Sequence, residues 1–418
     1  MNQNRQLRMS KLALGLVAAL AAAPSFAQST SAGVAGLVTN NSGAPVTGAE
    51  VVITHVESGT VSRATTDANG RYNARGLRVG GPYTVTVTKE GVGTDTEENV
   101  FLKLDVTNAV DAQLGAAAAG GGDVATLQGV QVVGVAGSVA FSPDATGAQT
   151  IVTRQEIEAL PSVRRSLEDY VRLDPRIVQV DKERGGIAAA GQNNRYNNIR
   201  IDGVPTNDNF GLNDSGLPAL NQPIVIDWIQ EFNIGVSNYD VTQGDFVGAN
   251  INAVTKSGTN EFHGSVYGIY RNEDMIGDQV GGLKRVAPFE NEKTWGAYVG
   301  GPLIQDRLFF FAGYEKFERS APAPDTGVLG SGASNELRIT PTQVNDIRAA
   351  AARYGAADIG SFDPLSVFNN EDEKWIAKID WNINDNHRAA FRYNNTEGSV
   401  LRLNTNATVL QSSSNWYA

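Results

Sequence analysis

Residues 375–394 alternate between apolar and polar side chains with a period of two, and no other pattern in the sequence limits the fold as strongly. The apolar set is Trp375, Ala377, Ile379, Trp381, Ile383, Ala389, Phe391 and Tyr393. The intervening set includes Lys378, Asp380, Asn382, Arg388, Arg392 and Asn394. Because successive residues of a β-strand point to opposite faces, the pattern predicts two antiparallel strands joined by a tight turn at 384–387. Aromatic residues near the strand ends favour a lipid-facing surface, although a soluble sandwich would show the same alternation.

The connections between such strands alternate between short and long. Residues 302–307 and 384–387 form short links, whereas the long links are 272–292, 320–372 and 398–413. Outer-membrane barrels show this alternation between periplasmic turns and extracellular loops. We count five strands from Phe262 onward and the beginning of a sixth at 415–418, and a plugged transporter barrel has about 22. The sequence is therefore expected to be a fragment or a truncated reading frame.

The first 27 residues have the three parts of a secretory signal peptide. Arg5, Arg8 and Lys11 precede the apolar run 12–23, and small residues flank Phe26 at a cleavage site after residue 27. The run is too short to span a bilayer stably, and the alternative is a buried core helix. Cleavage would make the net charge three units more negative than the −11 of the whole chain. Because no apolar run of spanning-helix length follows, the pattern argues against a helical membrane protein.

Residues 28–115 show short alternating strands separated by turn signals. Tyr83, Val85 and Val87 alternate with threonines, and residues 67–70 (Asp-Ala-Asn-Gly) form a turn. About seven such strands predict an immunoglobulin-like β-sandwich. Residues 66–72, with 33–36 and 43–49, resemble the carboxypeptidase regulatory-like domain family, an accessory module without peptidase chemistry. Asp67 is interpreted as a turn residue, with a calcium ligand as the alternative.

Residues 116–135 read as a flexible linker rich in alanine and glycine. The β-prone segment within it resembles the TonB box, the periplasmic segment that the energy-transducing protein TonB grasps in TonB-dependent receptors. Strand addition to a partner's sheet would give affinity with little sequence demand, and an edge strand of the next domain is the alternative interpretation. The candidate residues are Thr126, Leu127, Gln128, Gly129, Val130, Gln131, Val132 and Val133.

Residues 136–258 are predicted to form an α+β plug domain. Thr153 is a candidate helix cap with Glu156 three residues later, and strands are expected at 224–232 and 250–255. Residues 198–205 resemble the central plug strand of TonB-dependent receptors, and residues 248–260 resemble the plug-to-barrel junction of their Oar-like branch. The resemblance places ligand-facing loops at the plug apex, where ordinary turn chemistry is the competing role. The apical candidates are Asn207, Asn209, Asn213 and Asp214.

Residues 259–418 are expected to form the first strands of an antiparallel transmembrane β-barrel. Residues 300–311 resemble the first barrel hairpin of Oar-like receptors, and the strand from Phe262 alternates less cleanly because of Tyr267 and Ile269. The predicted fold class is thus mainly β, with a sandwich, an α+β plug and an incomplete barrel. The barrel part implies contact with outer-membrane lipid.

The sequence carries no constellation that predicts catalysis, a metal site or a cofactor. There is no cysteine, the three histidines are far apart, and no zinc, phosphate-loop or nucleophile-elbow motif occurs. The excess of 45 acidic over 34 basic residues does not favour nucleic-acid binding. The leading hypothesis is an exported outer-membrane receptor that takes up an unidentified small ligand with energy from TonB. The alternatives are a secreted or surface-attached β-sandwich binding or adhesion protein and, third, a secreted hydrolase with an accessory sandwich.

Overall fold

The computed structural model describes three units in chain order: a β-sandwich, a middle unit and a five-stranded antiparallel sheet. It describes residues 30–115 and 147–399 with the exception of 163–164, 182–184, 209, 211–215, 220, 239–243, 245, 278, 281, 285–286, 324, 357–358, 365–366 and 385–386. The predicted signal peptide at 1–27 and the TonB-box-like segment at 126–133 lie outside the described residues. In the described part, no helix is both long and apolar enough to cross a membrane.

The first unit is a sandwich of two four-stranded sheets. One sheet has the order β4-β1-β7 with β8 also paired to β1, and the other has the order β3-β2-β5-β6. The predicted alternation is confirmed, because Tyr83, Val85 and Val87 of β5 are all buried between the sheets. The strands are β1 (Ala32–Asn40), β2 (Glu50–His55), β3 (Thr60–Thr65), β4 (Arg71–Leu77), β5 (Gly80–Lys89), β6 (Gly93–Leu102), β7 (Thr107–Ala109) and β8 (Ala112–Leu114).

The turn before β4 confirms the structural interpretation of Asp67. Its Oδ1 accepts hydrogen bonds from the backbone N–H of Asn69 at 2.8 Å and of Arg71 at 2.9 Å. Gly70 has a φ of +71°. A Cβ at Gly70 would also lie 2.7 Å from the Val38 carbonyl oxygen, so glycine is required on both counts.

The middle unit is built on a five-stranded mixed sheet with the order β13-β12-β15-β14-β9. Strands β12 and β15 are parallel, and β14 lies antiparallel between β15 and the edge strand β9. Its strands are β9 (Gly147–Thr153), β10 (Ile177–Asp181), β11 (Gly186–Ala189), β12 (Asn198–Ile201), β13 (Val204–Pro205), β14 (Ile229–Asn238) and β15 (Asn250–Thr255), and its helices are α1 (Arg154–Ala159) and α2 (Leu167–Val171).

Two local predictions for the middle unit have different outcomes. Thr153 and Glu156 form the predicted capping box at the start of α1. The strand expected at 224–232 begins only at Ile229, because Ile226–Trp228 forms a 3-10 turn. The adjacent residues Val225 and Ile226 are both buried in one core, whereas a continuous period-two strand would direct them to opposite faces.

The third unit is an antiparallel sheet with the order β16-β19-β20-β23-β24. The long strands are joined through residues 273–290, 305–307, 323–366 and 385–386, which confirms the predicted alternation of long and short links. The long links contain short strand pairs and one helix. The elements are β16 (His263–Asn272), β17 (Gln279–Val280), β18 (Leu283–Lys284), β19 (Asn291–Ile304), β20 (Leu308–Pro322), β21 (Thr326–Gly327), β22 (Asn335–Glu336), α3 (Pro341–Arg353), β23 (Val367–Asn384) and β24 (His387–Ser399).

The two faces of this sheet differ in character. The outer face exposes apolar side chains such as Val266, Trp381 and Phe391. Across three adjacent strands of this face, the Tyr314 ring lies 5.0 Å from that of Trp295 and 4.2 Å from that of Trp375. The inner face buries Phe311 and Ile376 in the core of the middle unit. This arrangement is that of the first strands of a barrel, with one face toward lipid and one toward an occupied lumen.

Candidate functional site between the strand sheet and the middle unit

A buried tryptophan fixes the middle unit against the inner face of the sheet. Trp228 ends the 3-10 turn before β14 and is completely buried. Its ring lies against Gly313 of β20, where an added Cβ would come within 2.6 Å of the indole atoms Nε1 and Cε2. Glycine within a strand marks such a close approach, so Gly313 forms a notch that receives the Trp228 ring.

A first charged contact, the Asp202 contact, joins the turn after β12 to the inner face of β23 and β24. The Asp202 carboxylate accepts hydrogen bonds at 2.7 Å from both the backbone N–H and the hydroxyl of Thr255. Arg392 of β24 also donates to it at 3.3 Å. The Lys378 ammonium donates to the carbonyl and hydroxyl oxygens of Thr255 at 3.3 and 3.2 Å. Through Asp202 and Thr255 the middle unit is thus connected to β24 and β23, two strands of the five-stranded sheet, which is called the wall below.

A second charged group, the Lys374 cluster, lies further along the same face. The Lys374 ammonium is 3.2 Å from carboxylate oxygens of both Glu315 and Asp372, and all three side chains are buried. Tyr267 donates its hydroxyl to Glu315 at 2.6 Å. Tyr267 therefore points inward, which explains why it interrupts the apolar alternation of β16. The Arg165 guanidinium of the middle unit lies 4.1 Å above the Tyr267 ring, so this cluster also touches the middle unit.

The sandwich contacts the wall at the end of the sheet that carries the short links. Arg388 of β24 donates to the carbonyl oxygens of Gly76 and Val61, each at 3.3 Å, and to the Ser62 hydroxyl. Asn382 of β23 donates to the Thr60 hydroxyl at 2.8 Å. These contacts attach the sandwich to the last two described strands.

The sandwich also contacts the middle unit, through the turn between β6 and β7. The buried Glu231 of β14 accepts a hydrogen bond of 2.5 Å from the Leu104 backbone N–H. Asn233 donates to Asp105 at 3.3 Å and to Gln149 of β9 at 2.7 Å. The sandwich, the edge strand β9 and its neighbour β14 therefore share one polar junction.

Substitution of Glu231 by glutamine is expected to remove the pH dependence that this carboxyl gives to the free energy of unfolding. Burial raises the pKa of the Glu231 carboxyl to about 8, and the Leu104 hydrogen bond and nearby Lys103 lower it by less. A carboxyl whose pKa is higher in the folded than in the unfolded chain stabilises the fold below the unfolded value and loses that contribution as pH rises. The free energy of unfolding of the wild type should fall between about pH 4.5 and 8.

The measurement is urea denaturation across this pH range, with Glu231→Gln beside the wild type. The glutamine oxygen can still accept from Leu104, so the variant should lose the decline attributable to this group. Glu50→Gln is the control, because Glu50 is an exposed sandwich carboxyl paired with Arg63 at 2.7 Å. A decline of equal size in Glu231→Gln and wild type would contradict the assignment.

Of the four apical candidates, the structure describes only Asn207. Its Oδ1 accepts from the Ile199 backbone N–H at 2.9 Å, and its Nδ2 donates to the Asn197 carbonyl at 3.2 Å. The side chain thus serves the local turn, which is the competing role weighed from the sequence. Asn209, Asn213 and Asp214 lie outside the described residues, as does the TonB-box candidate 126–133, and their roles stay predictions.

The sequence did not reveal which residues of the site contact one another, because the partners are far apart in the chain. Lys378 and Arg392 were visible as polar positions of the alternation, but their partners Thr255 and Asp202 are 123 and 190 residues away. Among the described residues, no group of three or more histidine, aspartate or glutamate side chains could hold a metal ion.

A sandwich, a middle unit packed on the inner face, and an outer face of exposed aromatic residues define an outer-membrane β-barrel protein with an accessory N-terminal domain. Comparison with known proteins agrees with this class. Residues 33–115 match the carboxypeptidase regulatory-like domain, and residues 254–334 match an outer membrane beta barrel domain. The matches indicate an outer-membrane location.

A characterised transporter is similar over nearly the whole chain. The TonB-dependent transporter Oar of Myxococcus xanthus is 28% identical over 425 residues, which cover 96% of this chain and 36% of Oar. The chain thus spans about a third of that relative's length. Together with the two domain matches, this similarity confirms the predicted relationship to Oar-like TonB-dependent receptors. The matched proteins are transporters and receptors rather than enzymes.

Two solved structures resemble part of this chain. The siderophore receptor PirA from Acinetobacter baumannii is 18% identical with a TM-score of 0.40, over 60% of this chain and 31% of PirA. The outer membrane transporter YddB from Escherichia coli is 16% identical with a TM-score of 0.40, over 60% of this chain and 33% of YddB.

Proposed function

We propose that the chain acts as a TonB-dependent outer-membrane receptor that takes up an unidentified small ligand. The observation that carries this proposal is the seating of the middle unit on the inner face of the sheet. Trp228 in the Gly313 notch, the Asp202 contact and the stacking of Arg165 on Tyr267 beside the Lys374 cluster hold the middle unit against the inner face of the five-stranded sheet. A unit that fills a barrel lumen in this way is a plug, and transport requires it to move.

In this proposal the parts of the chain have separate roles. Residues 28–115 form the accessory sandwich, 116–135 the linker with the TonB-binding segment 126–133, 136–258 the plug, and 259–418 the barrel strands. TonB would capture the segment by strand addition, in which backbone hydrogen bonds supply the affinity.

The position of β9 supports a mechanical role for this capture. β9 is the first described strand after the segment, and it lies at the edge of the middle sheet, paired only with β14 among the described strands. A pull on the segment would reach this edge strand before any other strand of the middle unit. An edge strand can be peeled from one neighbour while the remaining strand pairs stay intact.

Deletion of residues 126–133 is expected to abolish capture of TonB. The measurement is binding of the purified periplasmic domain of TonB to the full chain in detergent. Deletion of 116–123 removes the same number of residues from the alanine- and glycine-rich stretch and should leave capture intact. Equal capture by both deletion variants would exclude 126–133 as the binding segment.

A further inference from the structure

A cavity of about 630 Å³ lies where the sandwich, the middle unit and the short-link end of the sheet meet. The sandwich contributes Arg78 and Val79 to its lining, and the middle unit contributes Asp202 and Thr255. The wall contributes polar side chains of β23 and β24, namely Lys378, Asp380, Asn382, Arg388 and Arg392. Its volume falls in the range of small-molecule sites, roughly 300–1,000 Å³. The cavity adjoins the Asp202 contact, and the sandwich forms one of its sides.

The sandwich is attached around this cavity by polar contacts with both neighbours. Arg388 and Asn382 bind it from the wall, as described above. The Asn260 backbone N–H, between the middle unit and β16, donates to the Glu57 carbonyl at 2.8 Å. Arg78 of the sandwich donates to the Gly258 carbonyl at 3.2 Å. Contacts of this polar kind are typical of interfaces between domains that move relative to one another.

One apolar side chain of the middle unit completes the attachment. Val254 of β15 is 7% exposed and packs with the apolar core of the sandwich, whereas its neighbour Ala253 packs with the core of the middle unit. Movement of the sandwich away from the middle unit would expose Val254. This residue is therefore a reporter of whether the sandwich is docked.

We propose that the β-sandwich is a gate at the short-link end of the lumen. Docked, it covers the polar cavity beside the plug, and a polar small molecule that passes the plug leaves after the sandwich has moved. This inference rests on the proposed receptor function. In sequence, the sandwich ends shortly before the predicted TonB-binding segment, so a pull on that segment also acts on the sandwich.

Labelling of a single cysteine at position 254 tests whether these contacts hold the gate closed. The chain has no cysteine of its own, so Val254→Cys provides a unique thiol in the full chain. N-ethylmaleimide should modify it slowly. Adding Arg388→Ala, which removes three donated hydrogen bonds, should raise the rate about tenfold or more. Ser62→Ala removes one partner of Arg388 from the sandwich side and should act in the same direction.

Lys89→Ala is the control for this experiment, because its ammonium contacts the Gly48 carbonyl within the sandwich at 3.0 Å. It should leave the labelling rate of Val254→Cys unchanged. Equal rates in the Arg388→Ala, Ser62→Ala and Lys89→Ala backgrounds would overturn the assignment of Arg388 as a gate contact.

A covalent tie tests whether the gate opens in cells. Thr60→Cys and Asn382→Cys place two thiols where the wild-type side chains are hydrogen-bonded at 2.8 Å, and oxidation joins them as a disulfide before the Val254→Cys thiol is labelled. Val254→Cys should be labelled several-fold faster in cells with TonB than in cells without it, and the tie should remove this difference. A matched tie between Thr88→Cys and Thr94→Cys, whose hydroxyls are 3.2 Å apart within the sandwich, should preserve it.

These results separate the gate from the receptor function on which it rests. Labelling that is independent of TonB, while the purified chain still captures TonB through 126–133, overturns the gate alone. If deletion of 126–133 leaves capture unchanged, the receptor proposal fails in its TonB step, whatever the labelling rates in the Arg388→Ala background.

Discussion

Replacement of Trp228 by alanine is expected to destabilise the seating of the middle unit on the sheet by about 3–5 kcal/mol, the cost typical of removing a large buried aromatic side chain. Trp228 is completely buried, and its ring fills the notch at Gly313. The backbone at Gly313 belongs to a strand with neighbours on both sides, so it cannot close over the space that the indole leaves. A cavity would remain, and its cost adds to the lost transfer energy.

The measurement is protease resistance of the middle unit in the full chain, followed with increasing urea. Trp375→Ala is the matched control, because Trp375 lies on the outer face of β23 and is 50% exposed. The control should retain the wild-type resistance of the middle unit. A Trp228→Ala variant as resistant as Trp375→Ala would show that the notch does not seat the middle unit.

Replacement of Lys374 by alanine is expected to lower the free energy of unfolding by about 3–5 kcal/mol, because it leaves buried carboxylates without their cation. Glu315 and Asp372 both lie within 3.2 Å of the Lys374 ammonium, and Asp372 is completely buried. Removing one partner of a buried ion pair lowers stability more than replacing all of its charged side chains with neutral ones. A triple variant with Lys374→Met, Glu315→Gln and Asp372→Asn should therefore regain most of the lost stability.

Lys316 provides the comparison for this cluster. Its ammonium has three glutamate partners, Glu318, Glu371 and Glu373, at 3.1 to 3.6 Å, but these carboxylates are 39% to 53% exposed and lie beyond the rings of Tyr314 and Trp375. Exposed ion pairs contribute little to stability, so Lys316→Ala should have little effect on the urea midpoint. Similar losses in Lys316→Ala and Lys374→Ala would show that burial does not set the strength of the Lys374 cluster.

The sequence predicted those features of the fold that arise from local periodicity and turn chemistry. The alternation in β23 and β24 identified both faces of the sheet, Asp67 was assigned to its turn, and Thr153 with Glu156 marked the start of α1. Each of these depends on residues within a few positions of one another. The 3-10 turn at 226–228 escaped prediction because an apolar run of this length fits a strand equally well.

The site depended on contacts that no local pattern encodes. The Gly313 notch is visible only once Trp228 is placed opposite it, and nothing near Glu231 in the sequence indicates that Leu104 binds it. Tyr267 interrupts the alternation of β16 because its hydroxyl binds the carboxylate of Glu315, which lies on β20. Interrupted periodicity was therefore a second signal for an inward-facing site residue, beside the polar positions of the alternation in β23 and β24.

The aromatic rings on the outer face also set a requirement on the surrounding lipid. Trp375 begins an apolar series on β23 that ends at Ile383, and the eight residue steps between them span roughly 27 Å. With the usual tilt of about 40°, this corresponds to a hydrophobic height near 20 Å, below the roughly 30 Å of an average bilayer. A bilayer of lipids with long acyl chains would have to become thinner around these strands. Acyl-chain length is thus a determinant of stability for this protein in reconstituted membranes, independent of the contacts that hold its plug.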